Sequence, residues 1–201
     1  MIKVYGALQT RAMRTLWMLK ELGLEYEHDP VPSSQTRTPE FLKINPNGHV
    51  PVLVDGDLKL FESMAINLYL AQKYGQAKGL WPKTIEGQAL AYQWSFWVML
   101  ETEADLLNTL RHRALLPEDK RDEAAAAKST ERLQGPLKVL DAALQGKEYL
   151  AGPGFTVADL NVAAVFSWSR GGKVSLDAFP NVNRWFQASF GRPARKDATA
   201  K

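Results

Sequence analysis

Three short stretches carry side chains whose types and spacing invite chemistry. The first is Val50-Pro51-Val52-Leu53-Val54, an apolar run with a proline near its head. Proline has no backbone N–H and is normally kept out of central strands. Near the head of one it marks either a tight turn into the strand or a cis peptide bond. With a cis bond, Val50 is left to offer its N–H and C=O to an extended peptide ligand, as in strand addition. The dipeptide alone leaves both readings open. The second stretch is Glu62-Ser63, at the start of a helical pattern. A helix N-terminus with a hydroxyl suits a carboxylate, and a neighbouring Glu suits an ammonium, so the pair fits an α-amino acid end group. Taken singly, Ser63 would be an N-cap and Glu62 a dipole partner. Together with Pro51 at this spacing, the ligand reading is the stronger. The third stretch is the turn Ala7-Leu8-Gln9-Thr10-Arg11, with Thr10 where the first helix begins. Its hydroxyl either caps that helix or points to a bound group in the same positive field. A thiol held there would ionise more readily, because a hydrogen-bond donor and a helix end both favour the anion.

The elements that must position these residues follow from periodicity. Ile2–Tyr5 reads as a strand, residues 11–22 as a helix with Leu16, Leu19 and Leu22 on one stripe and Gly23 as its C-cap. Residues 24–28 alternate as a second strand, and Thr38-Pro39-Glu40 opens a short helix over residues 40–44 with an N-cap, an N1 proline and an acidic first turn. The Pro51 strand, an Asp55-Gly56 hairpin, a strand Leu58–Phe61 and a helix Ser63–Tyr74 complete a β-α-β-α-β-β-α order. That is a small mixed sheet with helices on its faces, an α/β unit.

Beyond it the pattern turns wholly helical, over residues 89–112, 120–144 and 157–169. The last is apolar all round, as expected of a central buried helix. The expected division is therefore 1–76, a linker over 77–87, and an all-α domain over 88–201. Thr156-Val157-Ala158-Asp159 has the spacing of a reciprocal cap and is read as a folding device, not a catalytic one.

With 201 residues, 45% of them hydrophobic, the chain can bury a core. Its net charge of +3 comes from 25 basic and 22 acidic residues spread along the length, which gives no basic face for nucleic acid. No signal peptide or membrane-length apolar run is read, so a cytoplasmic protein with no membrane partner is expected. There is no cysteine, which removes disulfides, thiolate metal sites and protein-borne thiol nucleophiles together. His28, His49 and His112 lack metal-ligand spacing, and no metal is expected. Any thiol chemistry has to arrive with a ligand.

At these residues the chain resembles the cytosolic glutathione transferases. The likeness spans RAMRTLWMLKELGLEYE (11–27), TPEFLKINPNGHVPVLVDGDLKLFES (38–63), GPGFTVADLNVAAVFSW (152–168) and NRWFQASFGRPA (183–194), in family order. It implies a thioredoxin-like N-terminal domain with a mixed four-stranded sheet, an all-helical C-terminal domain, a homodimer, and glutathione as co-substrate. By resemblance, Val50 pairs with the cysteinyl backbone of glutathione beside cis-Pro51, Glu62 and Ser63 hold the γ-glutamyl end, and His49 meets the glycyl carboxylate. Gln9 and Arg11 flank the same ligand. Thr10 takes the place of the activating serine of the serine-type members; its extra methyl restricts the rotamer that can donate. Tyr5 is a rival donor, but lies within the first strand.

The absence of cysteine argues against members that work by mixed disulfides with glutathione. Gln9-Thr10-Arg11 also departs from the Ser-Ser-Cys of the maleylacetoacetate isomerase branch. The electrophile's contacts are expected on the helix over residues 89–112, from Trp97, Glu101, Asn108, Arg111 and His112, with Trp94 at the same helical spacing. The reading is an enzyme that conjugates the glutathione thiolate to a hydrophobic electrophile. Its alternatives are a glutathione-binding module with little turnover and a glutathione-dependent isomerase.

Overall fold

Alternation in the first strand, with Ile2 and Val4 buried and Lys3 and Tyr5 only partly so, sets β1 (Ile2–Tyr5) as a central strand. In the computed structural model, which describes residues 1–199, it lies between β2 (Tyr26–Asp29) and β3 (Val52–Asp55), with β4 (Leu58–Phe61) outside β3. β1 runs parallel to β2, with Ile2 opposite Tyr26, and antiparallel to β3, with Tyr5 opposite Val52. Gly56, at φ 62°, turns β3 into β4.

The helices of this sheet unit are α1 (Ala12–Leu22), α2 (Pro39–Leu42) and α3 (Ser63–Tyr74). Thr38 caps α2 by accepting from Phe41 N–H at 3.3 Å. Gly23, at φ 64°, ends α1, and Leu24 N–H returns to Leu19 O at 3.2 Å. That bond holds Leu24 in the helix cap, so the second strand starts at Tyr26 and not at residue 24.

The second unit, Pro82–Gly191, is helical: α4 (Ile85–Glu101), α5 (Glu103–Leu110), α6 (Glu123–Arg132), α7 (Gln134–Ala143), α8 (Val157–Phe166), α9 (Trp168–Gly171) and α10 (Pro180–Phe190). All three of the expected long helices are broken, the one over 157–169 at Ser167, between α8 and α9. Thr102 interrupts residues 89–112 with φ −131°, its hydroxyl donating back to Val98 O at 2.7 Å. Pro136 falls in the first turn of α7 and cannot extend a helix running in from α6, which divides residues 120–144. Every residue of α8 is buried, as its composition predicts.

The reciprocal cap at the start of α8 forms as expected. Ala158 N–H donates to Thr156 Oγ1 at 3.3 Å, and Thr156 N–H to Asp159 Oδ2 at 3.0 Å. Asp159 Oδ1 also accepts from Leu150 N–H and Trp185 Nε1, each at 2.9 Å, fastening the loop before α8 and the helix α10 to one carboxylate. Burial pushes the Asp159 carboxyl above its usual range against the pull of these donors.

The two units part at Trp81–Pro82, inside the expected linker, and α4 already begins at Ile85 under a Thr84 cap. From Arg192 the chain rejoins the sheet unit, where a domain over 88–201 was expected. There α11 (Pro193–Thr199) packs on α1. The Arg192 guanidinium grips Glu21 through two bonds of 2.6 and 2.7 Å, and Trp17 Nε1 donates to the same carboxylate.

Candidate active site

Gly6, just past β1, brings the first turn of α1 and the residue before Pro51 into contact. At φ 130° it holds a backbone conformation that favours glycine, and a Cβ there would lie 2.8 Å from the Cβ atoms of both Ala12 and Val50. Its carbonyl is held by His28 Nε2 at 2.8 Å. The close approach seats Val50 against the loop that carries Thr10. The Val50–Pro51 bond is cis, and β3 starts only at Val52. Among the described residues, neither the N–H nor the C=O of Val50 has a partner.

Thr10 stands where the sequence places it, just before α1. Its hydroxyl donates to Ala7 O at 2.6 Å and accepts from Ala12 N–H at 3.2 Å. It therefore acts as a local cap, and its single hydrogen is engaged by the Ala7 carbonyl. Arg11 occupies the N-cap position of α1 without a side-chain cap, and Gln9 on the same turn is exposed. Tyr5 packs edge-to-face on Phe41 at 6.4 Å.

At α3 the outcome is more specific than a plain N-cap. Glu62 takes the N-cap position with φ 70° and makes no capping bond; Ser63 is the first helical residue. A non-glycine residue in this region of φ costs about 1–3 kcal/mol and is found where a site requires it. Glu62 is exposed, while Ser63 is buried. Arg14 Nη1, from α1, donates to Ser63 Oγ at 3.4 Å. Asn67, one turn further along α3, donates through Nδ2 to Arg14 O at 3.3 Å and aligns the two helices.

His49 is exposed, and its carbonyl accepts from Asn45 Nδ2 at 2.7 Å. Asn45 also takes Asn47 N–H on Oδ1 at 3.0 Å, so one buried amide shapes the turn leading to Val50. Gly48, at φ 61°, lets the Arg37 side chain lie against that turn beside His49.

In the helical unit the expected face is divided by the Thr102 break. Trp94 is buried and meets Trp97 edge-to-face at 5.0 Å; Trp97 is half-buried and Glu101 exposed. Asn108 spends its amide on α6, donating to Ser129 Oγ at 2.9 Å and Ala125 O at 3.3 Å. Arg111 is exposed at the start of a π-helical turn, Arg111–Leu115. His112 Nδ1 accepts Asp122 N–H at 3.1 Å, fastening the start of α6. The Thr102 break places Trp97 and Glu101 on α4, Asn108 on α5, and Arg111 and His112 in the turn that follows, with the Asn108 amide and His112 Nδ1 engaged with α6 and the residue before it.

Sequence reading passed over Arg14, Asn45 and Asn67. A lone arginine in an apolar helical pattern looks like a solvent-facing interruption, and only its near-total burial reveals otherwise, at 1% exposure. The available signal was Arg14-Thr15, two polar residues inside a run that is buried from position 14 to 19. Among the described residues no group of three or more His, Asp or Glu side chains gathers as a metal site, and no helix is long and apolar enough to cross a membrane.

A four-stranded mixed sheet of this order, followed by an all-helical unit, defines a thioredoxin-like two-unit protein. Residues 1–72 match the family described as Glutathione S-transferase, N-terminal domain, and residues 102–193 the one described as Glutathione S-transferase, C-terminal domain. The chain is 36% identical to glutathione S-transferase 3 of Zea mays, over 99% of this chain and 93% of that protein. It is 35% identical to glutathione S-transferase F9 of Arabidopsis thaliana, over 100% of this chain and 97% of that protein. Among solved structures it is similar to a theta class glutathione S-transferase from Xanthomonas axonopodis pv. citri with glutathione bound, with TM-score 0.90, 28% identity, and coverage of 100% of this chain and 97% of that one. It is likewise similar to glutathione S-transferase-I bound with lactoylglutathione, with TM-score 0.87, 32% identity, and coverage of 98% and 97%. The chain belongs to the glutathione S-transferase family and is an enzyme of that transferase class.

Proposed function

We propose that this enzyme binds glutathione along the sheet unit and transfers the tripeptide's thiolate to a hydrophobic electrophile. The observation that carries the reading is the unpartnered Val50 backbone, held by Gly6 against the first turn of α1. An extended cysteinyl residue would exchange two hydrogen bonds with Val50. Its γ-glutamyl carboxylate would take the N–H groups of the first turn of α3 and the Ser63 hydroxyl, and its ammonium the Glu62 carboxylate. His49 stands as the partner of the glycyl carboxylate, with Gln9 and Arg11 beside the peptide.

The thiol proton leaves to solvent. The sulfur then donates a lone pair to an electrophilic carbon, a C–S bond forms, and the leaving group departs with the bonding pair. Where the electrophile is an activated double bond, the resulting carbanion takes a proton instead. Thr10 is the proposed donor to the thiolate, and its hydroxyl must turn away from Ala7 O to serve. The proposed electrophile contacts narrow to Trp97, Glu101 and Arg111, since Asn108 and His112 are engaged with α6.

A homodimer is part of this reading. Ile85, Tyr92, Phe96 and Leu100 fall on one stripe of α4 and are exposed at 73, 41, 62 and 79%. An apolar stripe of this kind is the expected signature of a surface covered by a second copy.

One observation favours a second reading, a glutathione-binding module with little turnover: the Thr10 hydrogen is engaged locally. The ultraviolet difference spectrum of the protein with glutathione, followed against pH, separates the two. Thiolate absorbance well below the pH at which free thiol ionises supports the conjugating enzyme. Saturable binding with a thiol that titrates as in water supports the module, and no binding defeats both.

A further inference from the structure

Arg14 stands out as a buried cation inside the sheet unit, one bond away from the proposed carboxylate-binding hydroxyl and without any role in the chemistry described so far. A serine hydroxyl has one hydrogen to give and two lone pairs to accept with. An arginine guanidinium has only donors and stays charged at any working pH. Contact between Arg14 Nη1 and Ser63 Oγ therefore has one possible polarity: the arginine donates, and the serine oxygen accepts. The Ser63 hydrogen is left over, and among the described hydrogen bonds it has no acceptor within the protein. With Oγ accepting from Arg14, that hydrogen is free to turn toward a group at the N-terminus of α3, where a carboxylate is favoured by the helix end.

We infer that Arg14 is a positioning residue: it fixes the Ser63 hydroxyl as a donor to the α-carboxylate of the ligand's γ-glutamyl group. The inference rests on glutathione binding as proposed above. Three features of the fold support the arrangement. Arg14 is 1% and Ser63 4% exposed, so water does not compete for the bond. Asn67 Nδ2 holds the Arg14 carbonyl and keeps α1 in register with the first turn of α3. Glu62, at φ 70°, sets Ser63 as the first helical residue, which puts its Oγ on the inner side facing α1 and not in a capping bond of its own. Polarisation by the guanidinium also makes the Ser63 O–H a better donor, since hydrogen bonds in a chain strengthen one another.

A serine held only by packing would rotate among its staggered wells and donate to the carboxylate part of the time. Removing Arg14 should therefore cost recognition of that carboxylate specifically, over and above any general loosening of the unit.

The test compares two ligands, glutathione and its analogue lacking the γ-glutamyl α-carboxylate, in which 4-aminobutyrate replaces the glutamyl residue. Their dissociation constants are measured by calorimetry on wild type, Arg14→Met, Arg14→Lys, Ser63→Ala and the double variants. In the wild type the ratio of the two constants reports recognition of the carboxylate. Arg14→Met should lower that ratio about tenfold, and Arg14→Lys several-fold, because a single ammonium replaces the planar fork. In the Ser63→Ala background neither change at position 14 should move the ratio. A ratio that falls equally in both backgrounds, or constants for the two ligands that weaken by the same factor, overturns the inference and leaves Arg14 a packing residue. Should Arg14→Met fail to fold, Arg14→Lys in the two Ser63 backgrounds decides the matter by the same criterion. Failure of the wild type to bind glutathione would instead defeat the underlying reading, an outcome visible before any variant is made.

Discussion

Replacing Thr10 with valine keeps the β-branched shape and removes the hydroxyl hydrogen proposed to reach a bound thiolate. In the resting protein that hydrogen lies on Ala7 O at 2.6 Å, so a thiolate has to outbid a carbonyl for it. A hydrogen bond to a charged group contributes about 1.5–3 kcal/mol, and giving up the Ala7 bond costs about 1 kcal/mol. The net gain to the thiolate is then about 0.5–2 kcal/mol, or about 0.4–1.5 pKa units at ~1.4 kcal/mol per unit. The sign is fixed by which form is favoured: a donor to the thiolate lowers the thiol pKa, so Thr10→Val raises it. Below the titration, at a pH of about 6.5, the thiolate fraction and kcat/KM should fall by about 2- to 30-fold, the range those pKa units span. Above both pKa values the two proteins should converge. The dissociation constant for glutathione should barely move, because the peptide contacts proposed at Val50 and Ser63 are untouched. Folding stability should also fall by about 1–2 kcal/mol, since Ala12 N–H loses its side-chain acceptor. Thr10→Ser is the control: without the methyl the hydroxyl turns more freely, and the bound thiol should be no less acidic than in wild type. The assay is thiolate absorbance of bound glutathione against pH, alongside conjugation of a model electrophile. An unchanged bound-thiol pKa in Thr10→Val would refute the argument and move attention to Tyr5, Gln9 or a backbone amide.

Other perturbations test the frame around that hydroxyl. Gly6→Ala puts a Cβ within 2.8 Å of two neighbours at φ 130°, and should cost about 2–4 kcal/mol in urea unfolding and weaken glutathione binding more than tenfold. Asp55 accepts from Tyr69, Tyr74 and Lys73 on one oxygen, at 2.8, 2.7 and 2.9 Å. Burial alone would raise its carboxyl, but the lysine and the two phenols hold it below the usual range. A lowered carboxyl stabilises the fold above its unfolded pKa and loses that contribution as pH drops through the folded value. Asp55→Asn should thus lower the melting temperature by about 2–8 °C at neutral pH, with the difference from wild type closing as pH falls through the lowered carboxyl and gone once it is protonated in the folded protein. Phe96→Lys or Leu100→Lys on α4 should shift the sedimentation of a dimer toward that of a monomer; wild-type protein that sediments as a monomer would remove the dimer from the reading.

How much of this was legible beforehand depends on the range of the interaction involved. Local signals served well: Gly23 and Thr38 end and start helices where their chemistry says, Asp55-Gly56 turns a hairpin, and Thr156 and Asp159 form their reciprocal cap. The broken helices mark the limit of periodicity. The apolar pattern runs straight through Thr102, where the backbone turns to φ −131°; its hydroxyl bonds Val98 O, but Ser95 and Thr130 make the same bond to the residue four back inside unbroken helices, so no residue type announces the break. The Pro136 break was readable, since proline inside a helical run is a stop. Arg14 was not. The pair Arg14-Thr15 inside an apolar run marks the place, but the arginine's burial depends on α3 packing against α1, 49 residues away in sequence, which that pair does not carry. Thr10 lies between these cases: its place at the helix start could be read, while the carbonyl that holds its hydrogen could not.

The division of labour in the site follows from its materials. With no cysteine in the chain, the reacting sulfur must be the ligand's, and the protein's task is to hold a peptide and favour its anion. Most of the holding is proposed to come from backbone: the Val50 N–H and C=O, and the first turns of α1 and α3. Backbone groups are set by fold, and a fold survives many side-chain changes, so the proposed peptide site does not depend on which side chain stands at position 10. Activation has no such insurance. In the proposed reading it falls to one hydroxyl already engaged by a neighbouring carbonyl, so affinity for glutathione and acidity of its thiol should vary independently among variants of this chain. Changes at Gly6 and Ser63 should act mainly on affinity, and changes at Thr10 on acidity. A set of variants in which the two quantities rise and fall together would mean that thiolate stabilisation is spread over the helix end, with Thr10 no more than its cap.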